Sequence, residues 1–526
     1  MLDVLISNGL IIDGTGAPGY RADIGVESNT LVVLRNGTKS VQARRTIDAS
    51  DQVVSPGFID MHAHSGLMIL EHPAHDPKVR QGVTTEVIGV DGNSYAPFRR
   101  QRDLRDFLRL NAGLDGSPRL DQRWSTVDQY LKVFDRKVAV NIAYVIGNSA
   151  LRINSVGWEN RAATPAQLAD MIAMLREGME EGAFGLSTGL DYPPGSYADT
   201  AEIVALAEQV ATMNGIYHTH VRYGLGDRFL DPFREAIEIG SKGGVPVHIT
   251  HLYQRMPTPG PASRMLSLVE TAKSGGVDVT FDSYPYPLSS SRLLIVIPAW
   301  AHDGGPGQLM KILALPKMRN RLRAEVRPRG PSWQDMFLTN FRRRRNHRFE
   351  GRSVAEIAAL LRKHEADAIC DLLLDERLEL CYVSANGNAI TLPKFLSHPL
   401  AMISSDGILL GSFPSPRTYG TFAIVLSEFV RSEGFLSLPE AIRKMTSYPA
   451  MRLGLADRGV IRDRMRADLV IFDPAKVDAP ATRQQPRQFP TAIDYVLING
   501  ELVIDRGNHT GKLPGRALRR GRTPSS

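Results

Sequence analysis

Eight short runs of β-branched and apolar residues, each ending in polar residues or glycine, recur along the chain and narrow most what it can fold into. They are VVSPGFIDMHAH (53–64), TTEVIGVDG (84–92), VAVNIAYVIGNS (138–149), GAFGLSTG (182–189), GIYHTHVR (215–222), VPVHITHL (245–252), VDVTFDSYPY (277–286) and LAMISSDG (400–407). Near-continuous apolar runs of this length mark strands buried on both faces of a parallel sheet. Amphipathic stretches lie between many of them. TPAQLADMIAMLREGMEEG (164–182) and TAEIVALAEQVATMNG (200–215) place apolar residues three and four apart, open on Thr as N-cap and close at Gly. Eight strands alternating with helices predict an α/β fold, a (β/α)8 TIM barrel.

A barrel over 56–449 is longer than the roughly 250 residues the architecture needs. Most of the excess falls between the seventh and eighth runs, so an insertion at about 287–399, with its own helices (SVAEIAALLRKH, 353–364), is expected to cap the site. At the ends, LDVLISNGLIIDGTG reads as a strand pair, and so does DYVLINGELVIDRG (494–507), with Asn-Gly as its turn; ADLVIFD (467–473) adds a strand. Neither end has enough apolar surface to fold alone, so residues 1–55 and 450–515 are expected to form one small β-sandwich domain. A flexible basic tail, 516–526, is expected to follow.

Of 526 residues, 43% are hydrophobic and 23% charged, as in soluble globular proteins. No apolar run reaches the ~18 residues of a membrane span, and the N-terminus lacks a signal-peptide pattern, so a cytoplasmic location is expected. Cys370 and Cys381, in a leucine-rich stretch read as helical, suggest packing and neither a disulfide framework nor a thiolate site. The net charge of +7 is concentrated in FRRRRNHRF (341–349) and GRALRRGR, without base-stacking or groove-reading motifs, so no nucleic-acid or membrane partner is expected. A homo-oligomer is compatible with all of this.

The polar residues fall where barrel enzymes keep their chemistry, at the C-terminal ends of the strands. His62 and His64 end the first run, Asp91 the second, His218 and His220 the fifth, His248 and His251 the sixth, and Asp406 the eighth. Strand residues two apart face the same way, so His62 and His64 point together into the barrel mouth. A lone His-x-His pair is weak, but carboxylates and imidazoles converging from four further strand ends are costly to bury without a shared ion. They indicate a metal centre. Asp91 also has a plain reading, as an Asp-Gly turn.

The segments PGFIDMHAH, QGVTTEVIG, GLSTGLDYPP, VHITH, SSDG, YGTFAIVLSEFVR and IRKMTSYPAMRLGLADRGVI resemble the amidohydrolase superfamily and, within it, the N-acyl-D-amino-acid deacylase (D-aminoacylase) group. The resemblance implies a zinc hydrolase. It matches His220 and His251 to a tight zinc site, and His62, His64 and Asp406 to a weaker one, with His218 and His248 in supporting roles. Four positions depart. Where the group has a bridging cysteine this chain offers Asp91, a harder donor suited to Zn, Mn or Fe. Asn148 replaces a histidine, Ser415 another before the retained Arg417, and Leu252-Tyr253 replace a His-Lys pair.

On this reading one or two divalent ions activate water, and Asp406 serves as general base and then acid in cleaving an amide. The substrate carboxylate would be gripped by Arg417 first, or Arg222, with Tyr192, Tyr253 and Asn148 as further pocket residues. Two other readings stand beside it: a hydrolase of a cyclic amide or ester, or a metal-dependent lyase, on the same barrel, and a catalytically silent scaffold.

Overall fold

The apolar runs become strands, each shorter than the run that encodes it because the polar end leaves the ladder as a loop. In the computed structural model, which describes residues 1–34, 41–120, 123–256 and 260–521, the eight are β1 (Phe58–Asp60), β2 (Val83–Ile88), β3 (Asn141–Tyr144), β4 (Gly185–Gly189), β5 (Ile216–His220), β6 (Val247–Ile249), β7 (Val279–Ser283) and β8 (Ala401–Ile403). All neighbours pair in parallel; after a break at Val145, the short extension Ile146–Gly147 carries the pairing from β3 to β4. The ladder meets itself where Ala63 bridges Gly407 and Asp406 N–H donates to the His62 carbonyl at 2.9 Å. The first and last strand ends are thereby held side by side.

Helices pack outside the strands. Thr164 caps Pro165–Glu180 in a reciprocal capping box with Gln167. The next helix, Thr200–Thr212, is capped by Asp199, one residue before the expected Thr200, because the Asp199 carboxylate accepts from Glu202 N–H. Both helices turn Met, Ile, Leu and Val toward the strands and leave their charged face to solvent.

The two chain ends share sheets. A seven-stranded sheet joins Leu10–Ile11 and Val53–Pro56 to Leu469–Phe472, Ile493–Ile498 and Glu501–Asp505, the two sets meeting where Val53–Pro56 pairs with Leu469–Phe472; a four-stranded sheet contains Leu2–Ser7 and Ala43–Asp48. Ile6, Ile24, Val26 and Ile47 of the smaller sheet and Ile11, Val54, Leu469 and Leu497 of the larger fill one apolar core. The C-terminal pair is a hairpin about Asn499-Gly500, both at positive φ. The N-terminal pair is not: Asn8-Gly9 passes the chain from one sheet to the other, so Leu2–Ser7 and Leu10–Ile11 never meet. Part of the segment expected as a flexible tail is packed. Ala517 and Leu518 are buried, with Ala517 bridging Ile142 at the foot of β3; residues 522–526 lie outside the described residues.

Residues 287–399 carry the helices Gly305–Ala314, Pro316–Glu325, Val354–Leu361 and Glu365–Asp375, and also a three-stranded antiparallel sheet of Leu288–Arg292, Cys381–Ala385 and Met336–Thr339 that periodicity did not reveal. Cys381 is therefore on a strand, not in the helix that ends at Asp375 before it; both cysteines are buried and free. No helix of the described residues is long and apolar enough to cross a membrane.

Candidate metal centre

Two successive residues after β2, Asp91 and Gly92, adopt left-handed backbone (φ 54° and 70°). Aspartate tolerates that region better than most residues, and glycine is required at 92, where a Cβ would stand 2.7 Å from Asn148 Oδ1 and 2.8 Å from Gly189 N. The turn places Asp91 among the imidazoles that follow β1, β5 and β6. His251 (φ 36°) and Asp406 (φ 46°) also sit at positive φ just past β6 and β8. Such conformations persist only where surrounding structure enforces them, and they cluster at functional sites.

The six residues that the sequence puts forward as metal ligands lie together and are buried. His62 Nε2 and His64 Nε2 are 3.2 Å apart, and each faces Asp406 Oδ1, at 3.5 and 3.3 Å. On the other side His220 Nδ1 and His251 Nε2 are 3.1 Å apart. Asp91 Oδ2 stands between the pairs, 3.5 Å from His62 Nε2, 3.6 Å from His64 Nε2, 3.6 Å from His220 Nδ1 and 4.0 Å from His251 Nε2. Tetrahedral zinc with bonds of about 2.0–2.1 Å separates its donors by about 3.3 Å, so the cage has the right edges for one ion on either side of Asp91. Asp91 Oδ1 has no partner of its own.

Asp91, Asp406 and His251 are held in the form this donor set needs, whereas burial is outweighed by facing carboxylates at His62, His64 and His220, whose pKa values are raised and whose ring protons a bound cation would have to displace. Burial pushes the Asp91 carboxyl up, but His62, then His220 and His64, outweigh it and hold it well below the usual carboxylate range. Asp406 falls to about 2, because burial is overcome chiefly by Arg417, then by His62 and His64. Burial and the neighbouring His220 push the His251 ring well down, leaving it a neutral donor.

Partners behind the cage fix the rings. Asp115, at the end of the helix Gln101–Asp115, meets His64 Nδ1 at 3.1 Å and accepts a hydrogen bond from Tyr95 Oη. Asp191, in the loop after β4, faces His220 Nε2 at 3.6 Å. Asp282 on β7 accepts from His251 N–H at 2.9 Å and from Ser404 Oγ at 2.6 Å, and meets His248 Nε2 at 2.9 Å. His218 and His248 form the layer below, paired in register across β5 and β6, with His218 Nε2–H donating to the Met61 carbonyl at 3.0 Å. Burial takes the His218 pKa down to about 3. Sequence reasoning missed Asp115, Asp191 and Asp282; Asp282 alone left a trace, as a carboxylate inside an apolar strand. Asp115→Asn is expected to weaken metal binding by about 10- to 100-fold, measured by chelator competition. An unchanged dissociation constant would mean that the His64–Asp115 contact does not tune the site.

A cavity of about 510 Å³ opens over the cage, with His64, Asp91, His220, His251 and Asp406 in its floor. Tyr192 and Tyr253 line it. Three of the expected substrate contacts do not. Arg222 is tied down by the carbonyls of Ser196 and Ala198, both at 2.7 Å, and by Glu235 at 3.2 Å. Asn148 lies behind the Asp91-Gly92 turn and donates to the Gly195 carbonyl at 3.0 Å. Arg417 is fully buried, 2.9 Å from Asp406 Oδ2 and over the Tyr284 ring at 4.2 Å, so it holds Asp406 and is not open to a substrate. Ser415, two residues before it in the chain, is buried with an unpartnered hydroxyl. Two guanidinium groups in the wall have no ion pair among the described residues, that of the exposed Arg228 and that of Arg255, the latter 3.8 Å over the Tyr223 ring and 5.4 Å from that of Tyr253.

The family model described as "Amidohydrolase family" matches residues 45–504. The chain belongs to the amidohydrolase family. Within it this amidohydrolase is D-aminoacylase-like: it is 32% identical to D-aminoacylase of Alcaligenes xylosoxydans xylosoxydans over 98% of both chains. It is 33% identical to N-acyl-D-aspartate deacylase of the same organism over 99% of this chain and 95% of the other. The amidohydrolase also superposes on a crystal structure of D-aminoacylase with a TM-score of 0.82 at 32% identity, covering 99% and 100% of the chains. Against N-acyl-D-glutamate deacylase from Bordetella bronchiseptica, solved with zinc and a phosphonate inhibitor that mimics the tetrahedral intermediate, the TM-score is 0.83 at 30% identity over 98% and 99%. A D-aminoacylase structure in the same set concerns a binuclear metal centre.

Proposed function

We propose that the protein hydrolyses the amide bond of an N-acyl-D-amino acid, with Asp91 taking the place of a bridging thiolate. The observation that carries this is the single Asp91 oxygen lying within 3.5–4.0 Å of four imidazoles from three strand ends. His62, His64 and Asp406 would hold one divalent ion, His220 and His251 another, with Asp91 shared between them. Zinc suits these N and O donors, as would Mn or Fe. The ion supplies Lewis-acid activation of water and of the scissile carbonyl.

The chain's own groups do the rest. Asp406, kept ionised by Arg417, receives the proton of the attacking water and returns it to the departing nitrogen, which leaves as an amine. Arg255, braced by two tyrosines, takes the substrate carboxylate. Residues 287–399, whose Ser289, Ser290 and Tyr382 line the cavity, act as its cap, and the two end-sharing sheets form a small β-sandwich domain beside the barrel.

The test is metal analysis of wild type and Asp91→Ala, with both assayed on paired N-acetyl-D- and N-acetyl-L-amino acids. Wild type is expected to release free amine from D substrates, and Asp91→Ala to lose about one metal equivalent and turnover. Unchanged metal and rate in Asp91→Ala would remove Asp91 from the site. Ring opening of a cyclic amide with no release from any N-acyl substrate would replace the deacylase reading.

A further inference from the structure

The basic run RRRR (342–345) has no part in the metal chemistry. All four side chains are exposed, and with Arg377 and Asp375 they line a cleft of about 450 Å³. Five guanidinium groups thus share one carboxylate. An adjoining cleft of about 660 Å³ has Arg343, Arg345 and Asp375 in common with it and adds Arg348 and Lys363, with Asp371 as its other acid. No residue of either cleft lines the metal cavity.

The backbone that carries the run is fixed from below. Glu376, fully buried, accepts from the N–H groups of Arg342 and Arg343 at 2.7 and 3.0 Å. The buried Asn346 amide donates to Asp375 Oδ2 at 2.7 Å and also to Glu376. Three of the arginines serve the fold as well. Arg342 pairs with Glu379 at 3.0 Å; Arg343 pairs with the Asp375 carboxylate at 2.9 Å and donates to the Asp375 carbonyl at 2.8 Å, where the helix Glu365–Asp375 ends; Arg345 shares that carboxylate. Arg344 and Arg377 form no ion pair among the described residues. Arg377 (φ 53°) and the buried Leu378 (φ 74°) are successive non-glycine residues in left-handed backbone, a costly conformation that surrounding structure must enforce, and this turn brings Arg377 to the cleft. Like charges gathered this closely repel one another, and a fixed backbone means that little freedom is lost when an anion neutralises them.

We propose that the arginine-lined cleft binds a small anion carrying two or more phosphate groups, at a site separate from the metal centre. A guanidinium fork matches a phosphate with two parallel hydrogen bonds, and several forks in one place suit an anion with several such groups. The aromatic residues that flank the run, Phe341 and Phe349, are buried and offer no face on which the bases of a nucleic-acid strand could stack. The phosphates have two sources, a nucleotide or free pyrophosphate. The site stands whatever the reaction at the cage.

Isothermal titration calorimetry of the metal-loaded protein with pyrophosphate, ADP and adenosine, at fixed ionic strength, compares wild type with the double variant Arg344→Gln/Arg377→Asn. These are the two side chains that the fold leaves unpaired, and asparagine tolerates the left-handed backbone at 377. Any uptake of phosphate at the metal cage is common to both proteins, so the difference between them reads the cleft. Wild type is expected to bind pyrophosphate, ADP or both, and not adenosine. In the double variant the association constant is expected to fall about tenfold or more, with the Tm of the ligand-free protein unchanged. Tighter binding of ADP names a nucleotide as the source, and equal or tighter binding of pyrophosphate names the free anion; either supports the site. Arg344→Gln alone, expected to weaken binding about threefold, decides the matter if the double variant does not fold, and an unchanged constant there overturns the site. Equal affinity in wild type and double variant, or no binding of either phosphate compound to wild type, also overturns it. So does binding confined to a single-stranded RNA oligonucleotide or to vesicles containing phosphatidylglycerol, which would make the run a docking surface for a polyanion.

Discussion

Asp406→Asn lowers kcat by about 10²- to 10⁴-fold, the loss expected when a positioned general base is removed, on whichever N-acyl substrate the wild type turns over. The carboxylate is placed for the task twice over: Oδ1 faces His62 and His64, and Oδ2 is held at 2.9 Å by Arg417. The amide keeps the shape and loses the charge. It also strips Arg417, fully buried, of its counter-ion, so the single variant is expected to be less stable as well as slow. Pairing it with Arg417→Met separates the effects, because the double variant has no orphaned charge and should regain stability without regaining rate. Steady-state kinetics and urea unfolding on the three proteins measure both. A single variant that keeps more than about a tenth of wild-type kcat would take the proton-transfer role away from Asp406.

The second large effect is on folding. Lys78, on the short helix Asp76–Val79, is fully buried and pairs with Asp60 at 2.7 Å and Glu86 at 3.0 Å, while donating to Ser405 Oγ at 2.6 Å. Burial opposes its charge, but Asp60 and Glu86 outweigh that and raise its pKa. Asp60 Oδ1 in turn accepts from Ser405 N–H at 2.9 Å and His62 N–H at 3.2 Å, so one ammonium group secures the carboxylate that ties the first strand end to the last. Lys78→Met leaves two buried acids without their ammonium, with the His75 ring at 3.0 Å from Glu86. It is expected to cost about 3–5 kcal/mol of unfolding free energy in urea titration. A loss below about 1 kcal/mol would show that the acids are neutralised in some other way.

Much of the scaffold and the cage was legible because both follow from strands. The period and polarity of eight runs placed the barrel strands, and the rule that chemistry gathers at their C-terminal ends brought His62, His64, Asp91, His220, His251 and Asp406 forward as one set. What surrounds the cage was not legible, because those residues come from other kinds of structure. Asp115 ends a helix, Asp191 is in a loop, and Arg255 is aimed by backbone that no periodicity describes. The arginine contacts were not legible for the same reason. Arg417 and Arg222 are at the expected rim in sequence, but which partner a long side chain reaches depends on packing, and each is taken by a protein acid. The antiparallel sheet within residues 287–399 was hidden too, since its strands are distant in sequence and mix polar with apolar residues.

Closure of the ladder between Ala63 and Gly407 has a bearing on biosynthesis. A nascent chain released as far as β7 already carries four of the imidazoles and Asp91, yet lacks Asp406 and the backbone that holds His62 in register. The cage is thereby completed only after more than three-quarters of the polypeptide has been made.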